Sequence, residues 1–509
     1  MQRPDRQTIY RLYAVAQTYY AALHAKMLIS SQYERLEYGP RLTGILQGMT
    51  VKLPPTAPVA VQTLVDHVIL GERPSIQVLW PPGRRNSDKE ERDREQVEGW
   101  LDGALQKIDA NAKESPIRDF VSQTANPGMG TLVYSLNWDS WPDDPEKRGD
   151  ESKAQYRMRE RNWQRDSAEA WPFEVRSASP LTIFADPFHE VPEWVIEVRP
   201  RMLREYDDPR LSSTTPSETA SKMGEKGQVW SGRAVEVEEL TFVSKEWWAK
   251  YCNQVSWLTD KEGVDDDGVA PNPEGVLWYK YAIAGMGKND WENRPEYKIR
   301  GLLDDNWDTL DMEAEAVNQI NAIRANIAWG SWLATHPEGV EAAKIALTIN
   351  PINIGGITFT DPALLIKALE LPQMHEAVLQ TLEFVRNFLD LGLGASILRG
   401  IGTTGDAAAK YRTMLNEARL KFQPTRNSCE QALEGMLMDF LTILKSNKAH
   451  FKRGISVYGE IKGKSQFITL KPANIPDGLI IKVRFTPITP EEKAYKMQLG
   501  QELRHPANG

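Results

Sequence analysis

The residues whose types could do chemistry are few, and their spacing argues against most of it. Gly400-Ile-Gly-Thr-Thr-Gly-Asp-Ala-Ala-Ala-Lys410 places glycines before a lysine, as a phosphate-cradling loop would. It lacks the Gly-Lys-Ser/Thr ending, and no strand leads directly into it. Gly128-Met-Gly130 follows the order helix, glycines, strand, whereas a dinucleotide fingerprint needs strand, glycines, helix. His189-Glu190 opens like a zinc-protease pair, but position 193 is Glu, so the second histidine is missing. Asp265-Asp-Asp-Gly268 lacks the alternating oxygen ligands and terminal Glu of a calcium loop and reads as a solvated turn. Cys252 and Cys429 are two and far apart, which supports neither a disulfide framework nor a cysteine-built metal site. The expectation is a chain that is not an enzyme and takes no cofactor and no metal.

The elements that would position any site are organised around residues 306–444. Leu310, Val317, Ile320, Ile323 and Ile327 fall on one stripe of a helix over 306–332. Residues 336–370 break that periodicity with a β-branched run carrying turn residues, and it resumes at Met374, Val378, Leu382, Val385 and Leu389. A loop over 391–405 holds five glycines, at 392, 394, 400, 402 and 405, so its backbone can take several conformations at low steric cost. Residues 406–444 are helical again, interrupted at Pro424, whose ring removes a helical hydrogen bond and predicts a kink. A lone helical hairpin leaves much of its apolar stripe uncovered, whereas repetition around a ring would bury it.

Upstream, residues 6–38 form a long helix with Tyr10, Tyr13, Tyr19, Tyr20 and Tyr33, a density that suits helix packing with a wet edge. A short helix is expected over 59–70, a strand over 74–80 and a charged amphipathic helix over 88–108. The charge-dense stretch 143–169 reads as an exposed helix or insertion. Paired strands surround Ala185-Asp-Pro187, a mobile loop is expected over 206–227, and Trp247-Trp248 are expected in a core. Three strands follow residue 444, over 454–458, 466–470 and 479–485.

At 509 residues the chain calls for two to four domains. Hydrophobic content of 41% and charged content of 26% are those of a soluble folded protein. Neither a membrane span nor a signal-peptide core is present in the sequence, which predicts a cytoplasmic site of synthesis and no membrane partner. All 16 tryptophans lie at or before Trp332, which separates an aromatic-rich body from a tryptophan-free tail. The net charge of −9 argues against gripping nucleic acid over a broad basic face, though not against letting it slide past.

In this order the chain resembles the portal proteins, or head-to-tail connectors, of tailed bacteriophages. The resemblance covers most of 6–492. It rests on Gly71-Glu-Arg-Pro-Ser-Ile76, on 126–134, and on Ala178-Ser-Pro-Leu-Thr-Ile-Phe-Ala-Asp-Pro187 followed by Glu193-Trp-Val-Ile196. It rests further on the helix 313–327, the glycine-rich loop leading into 407–419, and Ile468-Thr-Leu-Lys-Pro-Ala-Asn-Ile475.

The resemblance implies an α+β fold with portal-like wing, stem and clip architecture and long stem helices, assembled as a ring. The wing would be 1–305, the first stem helix 306–335, the clip 336–371 and the second stem helix 372–390. A channel loop over 391–405, a long kinked helix over 406–445 and a β segment returning to the wing over 446–488 would follow, with a vestigial or truncated crown at 489–509. It implies a homododecamer at a capsid vertex of the virion, assembled in the host cytoplasm, through which double-stranded DNA is packaged and ejected. Its partners would be its own copies, the terminase large subunit, the major capsid or scaffolding protein and the neck or tail adaptor. Ile397, Leu398 and Ile401 would form an apolar collar in the DNA channel, with Arg399 and Lys410 offering phosphate contacts. Lys344, Asn350, Asn353 and Lys367 would carry partner contacts on the clip. The alternative is another phage head–tail adaptor or tail ring protein.

Overall fold

The computed structural model describes residues 2–37, 52–66, 74–81, 87–137, 140–142, 145, 151–189, 191–204, 234–252, 255–256, 258, 267–287, 294–329, 332–335, 337–338, 340–341, 344, 365–368, 376–393, 420–461 and 464–485. They form a mixture of helix and sheet in two compact units. The first unit draws on 1–31, 61–304 and 398–509, the second on 32–60 and 305–397.

Helix α1 (Arg6–Glu34) starts where the Thr8 N–H donates to the Asp5 carboxylate at 2.7 Å. Helix α2 (Thr56–Leu64) is followed by strand β1 (Ser75–Leu79), which alternates exposed and buried residues. Helix α3 (Asp88–Asn111) opens with a capping box between Ser87 and Glu90 and buries Val97, Trp100, Leu101, Ala104 and Ile108. Helix α4 (Pro116–Ala125) leads into strand β2 (Met129–Leu136), and a second capping box, Ser152 with Gln155, opens helix α5 (Lys153–Glu169).

Strands β3 (Phe173–Ala178), β4 (Ile183–Ala185), β5 (Trp194–Arg204), β6 (Ala234–Ser244), β7 (Trp247–Cys252), β8 (Val255–Ser256), β9 (Val269–Pro271) and β10 (Tyr279–Ile283) come next. Helices α6 (Pro295–Lys298) and α7 (Trp307–Trp329), strands β11 (Trp332–Thr335) and β12 (Leu365–Ala368), and helix α8 (Glu376–Leu393) complete the middle of the chain. Helix α9 (Gln423–Ser446) and strands β13 (Ile455–Ile461), β14 (Lys464–Leu470) and β15 (Ile480–Arg484) close it.

In the first unit, antiparallel strands run in the order β4-β5-β6-β7-β8, with β9 also pairing β7. One face of this sheet packs on α1, where Ile9 and Ala16 meet Phe184, Ile196, Leu240, Phe242 and Tyr251. The tyrosines do the packing that their spacing predicts: Tyr13 meets Phe184 edge-on at 5.0 Å, and Tyr10 lies 5.8 Å from Tyr251. Trp247 and Trp248, expected in a core, are only half-buried; the Arg3 guanidinium lies 5.2 Å over the Trp247 ring. The β4–β5 hairpin is tied at buried Asp186, which accepts from the N–H groups of Phe188 and Glu193 and pairs with His189 Nδ1 at 2.7 Å. The His189 imidazole is thereby tethered to a turn, and its pKa is raised, chiefly by that hydrogen bond.

A second sheet, β10-β2-β3, carries α4 and α9 side by side on one face, where Gly130 and Tyr134 of β2 meet them. Gly130 lies so close under α4 that a Cβ would overlap the Phe120 carbonyl oxygen and Thr124 Oγ1. The Gly-Met-Gly run thus serves the crossing of a helix over a strand. Helix α9 is the axis of this core: Leu433, Met436, Leu437, Phe440 and Leu444 are buried, and Phe440 stacks on Phe173 at 4.2 Å. Pro424 sits in the first turn of α9, directly after a break at Phe422. Its missing N–H therefore falls in a first turn, and residues 420 and 421, just before the break, are helical too. The helical residues expected from 406 to 419 lie outside the described residues.

Strand β1 pairs with β15, with Ser75 opposite Arg484 and Leu79 opposite Ile480. Both edges of this two-stranded sheet are sealed by helix side chains. On one edge the Val78 N–H donates to Glu98 Oε2 at 2.9 Å, and Arg94 Nη1 donates to the Val78 carbonyl at 2.6 Å. On the other the N–H groups of Val483 and Phe485 donate to Glu434 and Glu430. Strands β13 and β14 form a hairpin whose inner face packs on α3.

Candidate self-association surface

The second unit is built on α7 and α8, which pack against each other. Of the stripes that the periodicity marked as needing a cover, the described part is buried or half-buried within the chain, while the side chains of Ile323, Ile327, Met374 and Val378 lie outside the described residues. Leu310 and Ala314 on α7 and Val385, Leu389 and Leu393 on α8 are buried, and Val317, Ile320 and Leu382 are half-buried. Two polar groups are buried beside them. Asn318 donates to the carbonyls of Lys52 and Ala314 and accepts from the Lys52 N–H, which holds the 52–60 segment against α7. Glu313, almost fully buried, pairs with Arg386 across the two helices at 3.5 Å. Tyr33 stacks on Trp307 with ring centroids 6.1 Å apart.

What remains uncovered is a different face. Phe384 is 59% exposed and Phe388 52%, their rings 4.8 Å apart on successive turns of α8. At 100° per residue this pair sits about 100° around the helix from Val385 and Leu389. Leu379 and, on α7, Met312 are also exposed, at 44% and 47%. Helix α8 therefore has two apolar faces, one buried in its own unit and one presented to solvent. The phenylalanines were within reach of sequence reading, since they stand at i and i+4. The buried stripe alone satisfies the expected helical spacing, so periodicity does not single them out.

Of the residues the resemblance assigned to the clip, Lys344 is exposed and pairs with Glu341 at 3.3 Å. Lys367 stands in β12, in register with Leu333 of β11. The β11–β12 ladder joins the two ends of the insertion, whereas Asn350, Asn353 and the β-branched run 345–359 lie outside the described residues. So do Ile397, Leu398, Arg399, Ile401 and Lys410, the residues expected in the DNA channel. The loop expected from 391 begins later, because α8 continues to Leu393. Gly392 fits there because a Cβ would overlap the Asn306 side chain.

Among the described residues no cluster of His, Cys, Asp and Glu could hold a metal ion, and no helix is long and apolar enough to cross a membrane. Cys429 is fully buried, and burial pushes its thiol up to about 12, which leaves it protonated.

No known family model matches the chain, and no curated protein matches it. Two solved structures are similar to it at a distance. The neck of an empty gene transfer agent particle aligns over 92% of this chain and 91% of that chain, at 12% identity and a TM-score of 0.40. The virion of a native gene transfer agent particle aligns over 92% and 90%, at 12% identity and a TM-score of 0.39. Likeness of that degree stops short of establishing a shared fold.

Proposed function

We propose that the chain is a structural ring protein of a tailed-phage-like particle, and within that class the portal ring at a capsid vertex. It would form the channel through which double-stranded DNA is packaged and ejected, docking the terminase first and the neck or tail adaptor afterwards. The observation that carries the reading is the second apolar face of α8. Phe384 and Phe388 lie on a helix whose other apolar face is already used, nothing among the described residues covers them, and a partner would remove them from water. Copies of the same chain around a closed ring supply that partner without exposing a new face. The order of elements quoted from the sequence supplies the particular class.

Light scattering and native mass spectrometry test this directly. The purified protein is expected at a mass many times 57.6 kDa, and negative-stain images are expected to show a ring with a central hole. Phe384→Ser together with Phe388→Ser removes two large apolar contacts, roughly 3 kcal/mol or more per interface, so association should weaken at least about a hundredfold. The variant monomer should fold, because both side chains are exposed. A stable wild-type monomer across the micromolar range would sink the proposal.

A further inference from the structure

Helix α5 carries a row of four cations, three of which pair with nothing among the described residues. Lys153, Arg157, Arg161 and Arg165 recur every fourth residue and are all exposed. Elsewhere on the helix, Arg159 pairs with Glu151, and Glu160 takes Arg453 at 2.9 Å. The inner side is anchored by Trp163, which donates to the Pro142 carbonyl at 3.2 Å, meets Trp141 edge-on and lies 5.1 Å beneath the Arg453 guanidinium. Of the outer four, Arg165 alone has a partner, the exposed Asp166 at 3.2 Å. Lys153, Arg157 and Arg161 have none among the described residues.

We infer that this face of α5 docks the phosphate backbone of a nucleic acid. Each four-residue step advances about 6 Å and turns about 40°, so the row runs about 18 Å along one side of the helix. On the same wheel Glu160 and Asp166 fall outside the arc that the four cations sweep, so no carboxylate interrupts it. Phosphates follow one another every 3.4 Å along a strand's axis, and a row at about twice that interval can engage alternate ones. Three of the four are arginines, whose planar forks suit phosphate oxygens. An acidic protein partner would call for an apolar anchor at the centre of the contact. Among the described residues of this helix the one large exposed apolar group is Met158, at the margin of the row. The chain as a whole is acidic, with 70 carboxylates against 61 Lys and Arg, so the row is a local departure and not a sample of a generally basic surface.

The inference does not depend on ring formation. The contacts are to backbone alone, so binding should be indifferent to sequence and strongly dependent on salt. Fluorescence anisotropy with a labelled duplex of arbitrary sequence, titrated with the full chain over a salt series, reads this out. Four phosphate contacts set a contribution of about −3.6 to the slope of log K against log salt. The variant with Lys153, Arg157, Arg161 and Arg165 all changed to Gln should lose that contribution, and Arg157→Gln alone should lose about 0.9 of it. An unchanged melting temperature in both variants would show that the fold is intact, as expected for four exposed side chains. Equal slopes for wild type and the fourfold variant would overturn the inference, since any DNA binding would then reside elsewhere. Polyglutamate displacing the duplex at equal charge concentration would also overturn it, in favour of an acidic protein partner. A monomeric chain that still shows the slope difference would refute the ring and leave this surface standing.

Discussion

Glu274 carries its carboxyl where water barely reaches. It sits in the loop between β9 and β10, nearly fully buried, and accepts the Leu136 N–H at 2.8 Å. Burial pushes its pKa from 4.5 up to about 7, with the Leu136 N–H and the Trp278 indole only partly offsetting the lost hydration. A raised pKa means that the folded state holds the proton more tightly than the unfolded chain does. The contribution of Glu274 to stability is therefore fully present below about 4.5 and is lost as the pH rises toward 7. Glu274→Gln keeps an oxygen to accept the Leu136 N–H and cannot ionise. Its melting temperature should match wild type at pH 4.5 and exceed it at pH 8, where the stabilisation is on the order of 3 kcal/mol. An equal difference at both pH values would show that the effect is packing and not charge. None of this was legible in Asn272-Pro-Glu-Gly275, which reads as a surface turn, because the residues that bury Glu274 come from distant stretches of chain. The opposite holds for Gly128-Met-Gly130, where the local order of helix, glycines and strand was enough to reject a nucleotide site.

Elements were more legible than their ends. Spacing alone places α7 within three residues of its observed limits, and Ser87 with Glu90 marks the start of α3. The interruption expected at Pro424 falls at Phe422, because a proline in a first turn fits the same apolar periodicity as one that kinks a longer helix. Spacing cannot show which side chains of a helix reach sideways to close a sheet. Glu430 does so on α9, accepting the Phe485 N–H at 2.9 Å while paired with Arg484. Glu430→Ala would leave a buried N–H without an acceptor and an arginine without its partner, for a loss of about 1–3 kcal/mol. Glu430→Gln should lose less, because its amide oxygen still accepts from Phe485. Denaturant midpoints of the two variants check the order. Equal losses would mean that the ion pair, and not the sealed edge, is what Glu430 supplies.

At the scale of the molecule, the first unit is closed by two strands some four hundred residues apart, β1 and β15. Local pattern shows each as a strand and nothing shows that they are partners, since pairing over that distance is decided by which edges remain open after the helices have packed. Ile481, Val483 and Phe485 are buried in and beside β15, and three such side chains contribute roughly 5–9 kcal/mol, comparable to the whole stability of a domain. Ending the chain after Gly478 should therefore abolish soluble expression, because it uncovers β1 and leaves Glu430 and Glu434 without the N–H groups they accept. Ending it after Ile488 leaves β15 whole and removes only the residues expected as a vestigial or truncated crown. That truncation should melt with the full chain and assemble to the same number of subunits by native mass spectrometry. If the chain ending at Gly478 melts normally, β15 is not the closing strand. If the chain ending at Ile488 stays folded but fails to assemble, the last residues belong to the subunit interface, and the face of α8 is not sufficient for it.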